Sequence, residues 1–317
     1  MDILLRFARF YWPLFYGICI FLTIIMFLLI SYRTSRPLIS LRFFLYPSVC
    51  VNFGLATMAF LTQVRMVNNY DSLALLCDGP CKYIGPDFCF HCYTLLLILI
   101  TISGLINLHT LYYRTMYIRE DSVSYRHQQV AQFSLHYLIP IVTLILTYIP
   151  KRDHEFVRNE TIEMHPDYNL EPYQDFGGFA DSHHFCMTLN TLLLSLTTIY
   201  VPIAGCVCRL ITKRILAARV TDLSSDPLKT MSEVLIQGLT LQILLPVCCY
   251  LPVTILYCWN KYSGTQVYIS QYTLPVLSSI PCIADPILQI YFIMPYRKTV
   301  HKLLKCQPLT VLSPLTG

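Results

Sequence analysis

Long stretches without a charged side chain are the feature that most constrains how this chain folds. Seven such runs, each of 22 or more residues, lie at positions 10–32, 43–64, 88–113, 127–150, 182–208, 234–260 and 262–284. A helix rises about 1.5 Å per residue, so about 20 apolar residues cross a hydrocarbon layer roughly 30 Å thick. We therefore expect seven membrane-spanning helices. Their approximate bounds are 11–31, 42–63, 88–113, 133–150, 185–209, 234–258 and 270–294.

The composition argues against a soluble protein. Hydrophobic residues make up 55% of the chain and charged residues 13%, whereas soluble domains average about 25% charged residues. A soluble helical protein would carry charged stripes that repeat every 3.6 residues, and none of the seven runs has one. The first run is too long for a cleaved signal peptide, whose apolar region has about 7–15 residues. The predicted fold class is an all-α membrane protein with a single seven-helix transmembrane domain.

The distribution of Lys and Arg indicates which ends of the helices face the cytoplasm. The loops after the first, third and fifth helices, together with the tail, contain 15 of these residues, and the segments on the other side contain 8. Short cytoplasmic loops carry an excess of basic residues. We therefore expect the N-terminus outside and the short tail, residues 295–317, in the cytoplasm. Arg6 and Arg9 lie outside in this arrangement, against the usual bias.

The predicted loop between the fourth and fifth helices, residues 151–184, has the features of an extracellular segment. It carries 3 basic and 8 acidic residues, and it contains the sequon Asn159-Glu160-Thr161. Such a sequon marks a glycosylation acceptor in a secreted or extracellular loop. We therefore expect an acidic extracellular loop that is glycosylated at Asn159.

Four cysteines cluster around the start of the predicted third helix, at Cys77, Cys81, Cys89 and Cys92. An oxidising compartment favours disulfides between them. Zinc is the alternative, but Cys-x3-Cys-x7-Cys-x2-Cys lacks the paired short spacings of common zinc modules. Cys186 is the other outside cysteine between the third and fifth helices, and a Cys89–Cys186 bond would hold the acidic loop over the third helix. The pairing of the other three stays open.

Local motifs resemble those of G-protein-coupled receptors. Arg114 ends the predicted third helix in YYRTMYI, where such receptors carry the arginine of Asp-Arg-Tyr. Cys89 lies 25 residues earlier, where they carry the cysteine bonded to their second outer loop. CYLP at 249–252 resembles their Cys-Trp-x-Pro, and DPILQIY at 285–291 resembles their Asn-Pro-x-x-Tyr.

Three departures from these motifs narrow the resemblance. Tyr113 replaces the acid before the arginine, Tyr250 replaces the tryptophan, and Tyr291 comes two positions late. With these departures, GPCKYIGPDFCF, LIQGLTLQILLPVCCYLPV and PCIADPILQIYFIMPYRK are similar to the nematode serpentine receptor class d (Srd) group. The sibling Srh and Sri groups share the patterns of the sixth and seventh helices.

The resemblance implies a chemosensory, olfactory receptor for a small odorant or soluble cue. It also implies a multi-pass protein of the plasma membrane, in the cilia of sensory neurons, that signals through a heterotrimeric G protein. We expect no enzymatic activity, cofactor, metal or nucleic-acid partner.

Asp285 is the one carboxylate well inside a predicted span, and charge at that depth costs about 2.5–3.5 kcal/mol on insertion scales. We expect it to face the bundle interior and to bond Asn52, Asn107 or Ser103. In that position it would link the seventh helix to the second and third. The alternative is a solvated residue beyond an earlier end of the helix.

Several residues are candidates for coupling ligand binding to movement. Prolines remove intrahelical hydrogen bonds and kink helices, although static kinks are also common in membrane helices. Arg114 is either a partner of the G protein or a basic anchor at the membrane surface. The full set of coupling candidates is Arg114, Pro246, Pro252, Asp285, Pro286 and Tyr291.

The ligand pocket is expected between the outer halves of the third, fifth, sixth and seventh helices. The outer half of the third helix, CYTLLLILIT, has no carboxylate, so we expect an uncharged ligand. Polar side chains among apolar ones orient ligands, although interfacial tyrosines also form aromatic belts. The pocket candidates are Asn190, Tyr250, Tyr257, Gln271 and Tyr272.

The alternative function is a secondary transporter of a small solute. A transporter should show internal repeats and several buried ionisable residues along a path, and this sequence shows one Asp and scattered histidines. The sequence also lacks H-E-x-x-H, G-x-S-x-G and Walker motifs, which argues against an intramembrane enzyme.

Overall fold

The computed structural model describes residues 2–34, 41–119, 133–173, 175–218, 227–263 and 268–305. Within these ranges the protein is mainly helical. The principal helices are α1 (Asp2–Arg33), α2 (Arg42–Thr62), α3 (Pro86–Arg119), α4 (Leu138–Tyr148), α5 (Phe185–Ala218), α6 (Pro227–Ser263), α7 (Tyr268–Phe292) and α8 (Met294–Leu304). The part of the predicted tail from 306 to 317 lies outside the described residues.

Six of these helices, α1, α2, α3, α5, α6 and α7, are long and apolar enough to cross a membrane. The fourth apolar helix, Phe133–Tyr148, is shorter than the others. α3 and α6 continue beyond the uncharged runs, to Arg119 and from Pro227 respectively. A helix ends where its backbone hydrogen bonding ends, not where the first charge appears, so charge-free runs underestimate its length.

A small antiparallel sheet corrects the all-α expectation. Strands β1 (Val64–Asn68), β2 (Leu73–Cys77) and β3 (Gly177–Phe179) pair in that order, with Val64 opposite Cys77 and Leu73 opposite Phe179. The sequence signal is two five-residue stretches, VRMVN and LALLC, joined by the turn formers NYDS. The short length of these strands hid them between two long apolar helices.

The sheet covers one end of the helix bundle, which we call the sheet end. Residues alternate along β2, so that Leu73 and Leu75 pack on the bundle while Ala74 and Leu76 pack on a short helix, His154–Met164. Both faces of β2 are therefore buried. We call the sheet with this short helix the lid; it comprises residues 64–83 and 151–184, except 174.

Gly178 allows β3 to approach β2 closely. A Cβ atom built on Gly178 would overlap the backbone carbonyl of Leu73, its partner strand's first residue. Any larger residue would push the strands apart, so glycine is required at this position. The predicted loop 151–184 is thus an ordered layer that contains a helix and a strand.

The structure also corrects the expected disulfide. Cys81 bonds Cys89, and Cys186 is not bonded to another cysteine. A 3₁₀ turn, Pro80–Tyr83, places Cys81 directly over the first turn of α3, where Cys89 lies. The bond therefore joins the 64–83 part of the lid to the start of α3 across a short stretch of chain, and the 151–184 part of the lid is held by strand pairing and not by a disulfide to α3. Cys77 and Cys92, whose pairing the sequence left open, are buried and unpaired.

The other end of the bundle, which we call the opposite end, has its own core and its own polar ties. The Tyr296 hydroxyl of the α8 segment lies 2.8 Å from the Thr34 hydroxyl at the end of α1. Thr115 on α3 and Thr212 on α5 share a hydrogen bond of 2.8 Å. These contacts hold α8 and the ends of α1, α3 and α5 in one packed layer.

Candidate ligand-binding cavity

A cavity of about 170 Å³ lies inside the bundle just beneath the lid, and we call it the main chamber. Its roof is β1, through Val64 and Met66, and its walls come from α1, α2, α3, α5, α6 and α7. The wall residues are Trp12, Ala59, Thr62, Tyr93, Leu96, Leu97, Ile100, Thr101, Gly104, Leu194, Thr197, Thr198, Val201, Pro202, Ile243, Pro246, Val247, Tyr250, Val253, Thr254, Leu274, Pro275 and Ser278.

The main chamber presents hydroxyl groups but no charge among the residues that the structure describes. Thr101, Thr198 and Thr254 each donate their proton to the carbonyl four residues earlier in their own helix. Each therefore offers a ligand only oxygen lone pairs. Within the described ranges the Tyr250 hydroxyl makes no hydrogen bond, so it remains available to donate one. The chamber thus suits a neutral, mainly apolar molecule with a hydrogen-bond acceptor.

A second chamber of about 140 Å³ adjoins the first on the side of α5. Asn190 and Tyr257, both expected in the pocket, line this second chamber and not the main one. Asn190 donates to Thr147 at 3.1 Å, and its buried carbonyl oxygen has no partner in the described structure. The Tyr93 hydroxyl, which lines both chambers, lies 3.5 Å from the Met66 sulfur at their shared roof.

Gln271 and Tyr272, also expected in the pocket, lie instead above it in a cluster around Arg65. Arg65 on β1 is 3% exposed, and its Nε donates to the Gln271 side chain at 2.8 Å. Its guanidinium lies between 4.7 and 5.9 Å from the centres of four tyrosine rings. These are Tyr168, Tyr173, Tyr268 and Tyr272. We call this cluster the latch, because it joins both halves of the lid to the start of α7.

His165 packs against the latch from the lid side. Its ring stacks on Tyr168 with 4.7 Å between ring centres. Burial is the main cause that lowers the pKa of His165, and the Arg65 charge acts in the same direction, while a backbone hydrogen bond with Asn68 opposes them. Protonation of His165 is therefore unfavourable while the lid is closed.

A polar network lies below the main chamber, toward the opposite end. Asp285 is 1% exposed and accepts hydrogen bonds from Asn107 at 3.1 Å and from Asn52 at 3.4 Å. Ser103 in turn donates to Asn52, and Gln242 donates to the Asp285 backbone carbonyl. The carboxylate is thus buried among the partners expected from the sequence, and α2, α3, α6 and α7 meet at it.

The coupling candidates occupy different surroundings. Pro246 lines the main chamber, whereas Pro252 is exposed on α6. Pro286 is buried beside Asp285. Arg114 is buried near the opposite end of α3 at 4% exposed. Tyr291 is 56% exposed and points away from the core, where Arg297 lies over its ring.

Two further sequence expectations can be placed in the structure. The sulfur atoms of Cys77, Cys81 and Cys89 lie within 4.8 Å of one another. Two of these sulfurs form the Cys81–Cys89 disulfide, so they are not available as zinc ligands. Asn159 is exposed on the short helix of the lid, where a glycan would project away from the bundle.

The sequence patterns did not identify four residues that shape the site. Arg65 directly follows an uncharged run, where a basic residue is ordinary, and Trp12 lies within the first such run. Thr198 and Thr254 were not singled out, although a threonine in an apolar helix can bond its own backbone and so costs little to bury. The usable signal for Arg65 was the concentration of tyrosines at 168, 173, 268 and 272, which suit a buried cation.

Comparison with known proteins agrees with this architecture. The profile of the family described as serpentine type 7TM GPCR chemoreceptor Srd matches residues 8–302. Serpentine receptor class delta-63 of Caenorhabditis elegans is 42% identical over 273 residues, which cover 86% of this chain and 84% of the relative. Serpentine receptor class delta-59 of the same organism is 32% identical, over 93% and 90% respectively. These relatives are named as receptors, not as enzymes or transporters. The chain therefore belongs to the Srd family of serpentine seven-transmembrane chemoreceptors.

Proposed function

We propose that this protein is a chemosensory receptor that binds a small uncharged ligand in the main chamber and signals through a heterotrimeric G protein. The observation that carries the proposal is an apolar cavity inside the bundle that contacts six long helices and the lid at once. A ligand there touches every element that a signal must move. A cavity of about 150 Å³ with apolar walls binds benzene in a well-studied case, so about 170 Å³ suits a ligand of roughly one aromatic ring.

The orienting group for this ligand is the Tyr250 hydroxyl. It would donate to a carbonyl or ether oxygen, while the threonine oxygens would accept from a hydroxyl or amine proton on the ligand. Asn190 and Tyr257 would extend the same function to longer ligands that reach the second chamber. Gln271 and Tyr272 would act indirectly, because the latch holds the roof in place.

The signal would pass from the main chamber to the Asp285 network and on to the opposite end. Ser278 lines the chamber about two helical turns from Asp285 on the same helix. Pro246 and Pro286 each weaken the backbone of a helix that borders both sites. Movement of α6 and α7 would then change the surface around Arg114, where the G protein would bind. Tyr291 would contact lipid or partner at that end.

In the proposed orientation the N-terminus and the lid face outside, and α8 and the tail face the cytoplasm. The excess of basic residues in the opposite-end loops and the acidic character of the lid support this choice. The site of action would be the plasma membrane of a sensory cilium. We expect a glycan at Asn159: treatment with an N-glycosidase should increase the gel mobility of the expressed protein, and Asn159→Gln should abolish that increase. A mobility that the enzyme leaves unchanged in the surface-exposed protein would contradict the orientation.

The binding site can be tested by calcium imaging of cells that express the receptor, with a panel of neutral and charged small cues. We expect responses to neutral compounds that carry a hydrogen-bond acceptor. Tyr250→Phe should raise the half-maximal concentration about tenfold, which corresponds to the loss of one hydrogen bond of about 1.4 kcal/mol. Tyr32→Phe, the same change on an exposed part of α1, is the matched control. Potent activation by a quaternary ammonium compound or a polyamine would contradict an uncharged chamber.

A further inference from the structure

A groove between α5 and α6 opens on the side of the bundle that faces lipid. Ser195 and Ile199 form its wall on α5, and Leu251, Cys258 and Trp259 form much of its wall on α6. Trp259 is 60% exposed. We call this feature the α5/α6 groove. Because its walls are mainly apolar, contact with the hydrocarbon of lipid is more favourable there than contact with water.

The groove and the two chambers share wall residues. Thr254 lines the groove, the main chamber and the second chamber, and Thr198 lines both the groove and the main chamber. The lipid-facing groove thus adjoins the main chamber at Thr198 and Thr254, and it adjoins the second chamber at Ser195 and Thr254. The side chains of Thr198 and Thr254 can each move aside by rotation about the Cα–Cβ bond. Such a rotation changes the rotamer and breaks the hydrogen bond from the hydroxyl to its own helix, which another hydrogen bond can replace.

The two helices touch at one level and separate at another. At Gly205 a Cβ atom would lie 2.8 Å from Ile243, so α5 and α6 are in close contact there. The groove lies beyond this contact, toward the sheet end. Pro202 on α5 and Pro246 on α6 each lie about one turn from this contact, on the side of the groove. Each removes a backbone hydrogen bond of its helix and permits a bend.

Among the described residues the sheet end holds a much smaller cavity, about 20 Å³, which shares Trp12, Val64 and Pro275 with the main chamber. β1 forms the roof of the main chamber, β2 is buried on both faces, and the latch joins the lid to α7. Entry by this route would require separation of a packed sheet and exposure of the Arg65 cluster. Entry through the groove would require movement of the small side chains in the shared wall.

We infer that ligands of the main chamber reach it from the bilayer through the α5/α6 groove, and that they are uncharged molecules of about one aromatic ring that dissolve in hydrocarbon. The inference rests on the proposed function, because it assumes that the main chamber is the binding site. The bilayer would then act as a reservoir that concentrates the ligand before it binds. A charged compound would be excluded twice, first by the hydrocarbon and then by the chamber.

The chain contains two tryptophans, and they stand at the two ends of the inferred route. Trp12 lines the main chamber and is 4% exposed, while Trp259 lines the groove. Trp259→Phe therefore leaves a receptor whose whole tryptophan fluorescence reports on the chamber. The probe is bromobenzene, a neutral ring whose bromine quenches tryptophan at contact. Stopped-flow mixing with the full-length variant in phosphatidylcholine vesicles gives the rate at which bromobenzene reaches Trp12.

Three further changes are made in the Trp259→Phe receptor. Ile199→Phe with Cys258→Phe narrows the groove from both helices and changes no residue that lines either chamber. Leu196→Phe with Leu241→Phe is the matched control, since both residues are lipid-exposed and line neither groove nor chamber. Arg65→Leu loosens the lid. Cys258→Phe alone is held in reserve if the double change does not fold.

We expect the narrowed groove to slow quenching at least about tenfold, as a barrier higher by about 1.4 kcal/mol requires, and to leave the final quenching unchanged. The control pair and Arg65→Leu should not change the rate. Faster quenching in Arg65→Leu, with no slowing in the narrowed groove, would overturn the route and leave the chamber intact as a binding site. If bromobenzene quenches Trp12 in none of the variants, the chamber does not admit a neutral ring, and the proposed function fails with it.

Discussion

Arg65 in the lid and Asp285 in the middle of the bundle are both buried, and the protein stabilises the two side chains in different ways. Each is a buried charged residue, and in the described part of the chain neither lies within 4.0 Å of an opposite charge. The guanidinium is surrounded by the faces of four tyrosines and bonds Gln271. The carboxylate instead receives side-chain N–H groups from Asn52 and Asn107.

The difference follows from the chemistry of the two groups and predicts different roles. A guanidinium keeps its charge at every physiological pH and attracts aromatic faces, so its cluster is a permanent contact. A carboxylate can become neutral by binding a proton. It then gains an O–H donor and keeps part of its acceptor capacity, so its hydrogen bonds can be rearranged. The latch joins surface layers to one helix, whereas the Asp285 network joins four helices. Damage to the latch should therefore stay local, and damage to the network should spread through the bundle.

The largest effect is expected at the network. Asp285→Leu leaves the amide groups of Asn52 and Asn107 buried without an acceptor, at a cost of about 1–3 kcal/mol each. Asp285→Asn keeps an acceptor oxygen and should be much milder. Surface labelling and ligand-evoked calcium signals should show loss of both for Asp285→Leu and near-normal surface expression for Asp285→Asn. If both variants reach the surface and signal normally, the network is not a link between helices.

A smaller and more local effect is expected at the latch. Arg65→Leu removes a desolvated cation–π cluster and the hydrogen bond to Gln271, which together contribute about 3 kcal/mol. Hydrogen exchange measured by mass spectrometry should become faster in β1 and around Tyr173, with little change in α2 or α3. Arg65→Lys should fall between, because lysine keeps the charge but lacks the planar fork. Equal acceleration throughout the bundle would remove the contrast between the two clusters.

The disulfide pairing decides whether α3 is linked covalently to the lid, through Cys81–Cys89, or to α5, through Cys89–Cys186. Cys81→Ser should lower the stability of the receptor by about 2 kcal/mol, since the bond closes a short loop of sequence separation 8. Cys186→Ser should have almost no effect. Thermal unfolding in detergent, with peptide mapping under non-reducing conditions, checks both. A Cys89–Cys186 peptide in the map, or equal destabilisation by the two changes, would restore the pairing expected from the sequence.

Particular residues show how far the sequence was informative. The apolar runs and the lone carboxylate at Asp285 follow from the cost of placing charge in hydrocarbon, which acts on each residue separately, so they could be read from the sequence. The pairing of Cys89 and the position of Gln271 depend on β1 and β2. These strands are stabilised by contacts on both faces that come from distant parts of the chain. Arg65 looked like an ordinary loop residue for the same reason, because its four tyrosines are up to about 200 positions away.

The smallest expected effect is a pH dependence of the lid. The pKa of His165 lies below its usual range in the closed lid, mainly because of burial. The opened lid therefore binds a proton more readily, so its closure should be fully stable above about pH 6.5 and weaken as the pH falls through that range toward the lowered pKa. Hydrogen exchange of β1, corrected for the intrinsic rate, should be faster at about pH 5 than at about pH 7.5. His165→Phe keeps a ring against Tyr168 and should remove most of this difference, while His183→Phe, on an exposed residue of the same loop, should retain it. A pH difference that survives in His165→Phe would assign the pH dependence to another group. The contact of His165 with the latch would then be as independent of pH as the contacts of Arg65.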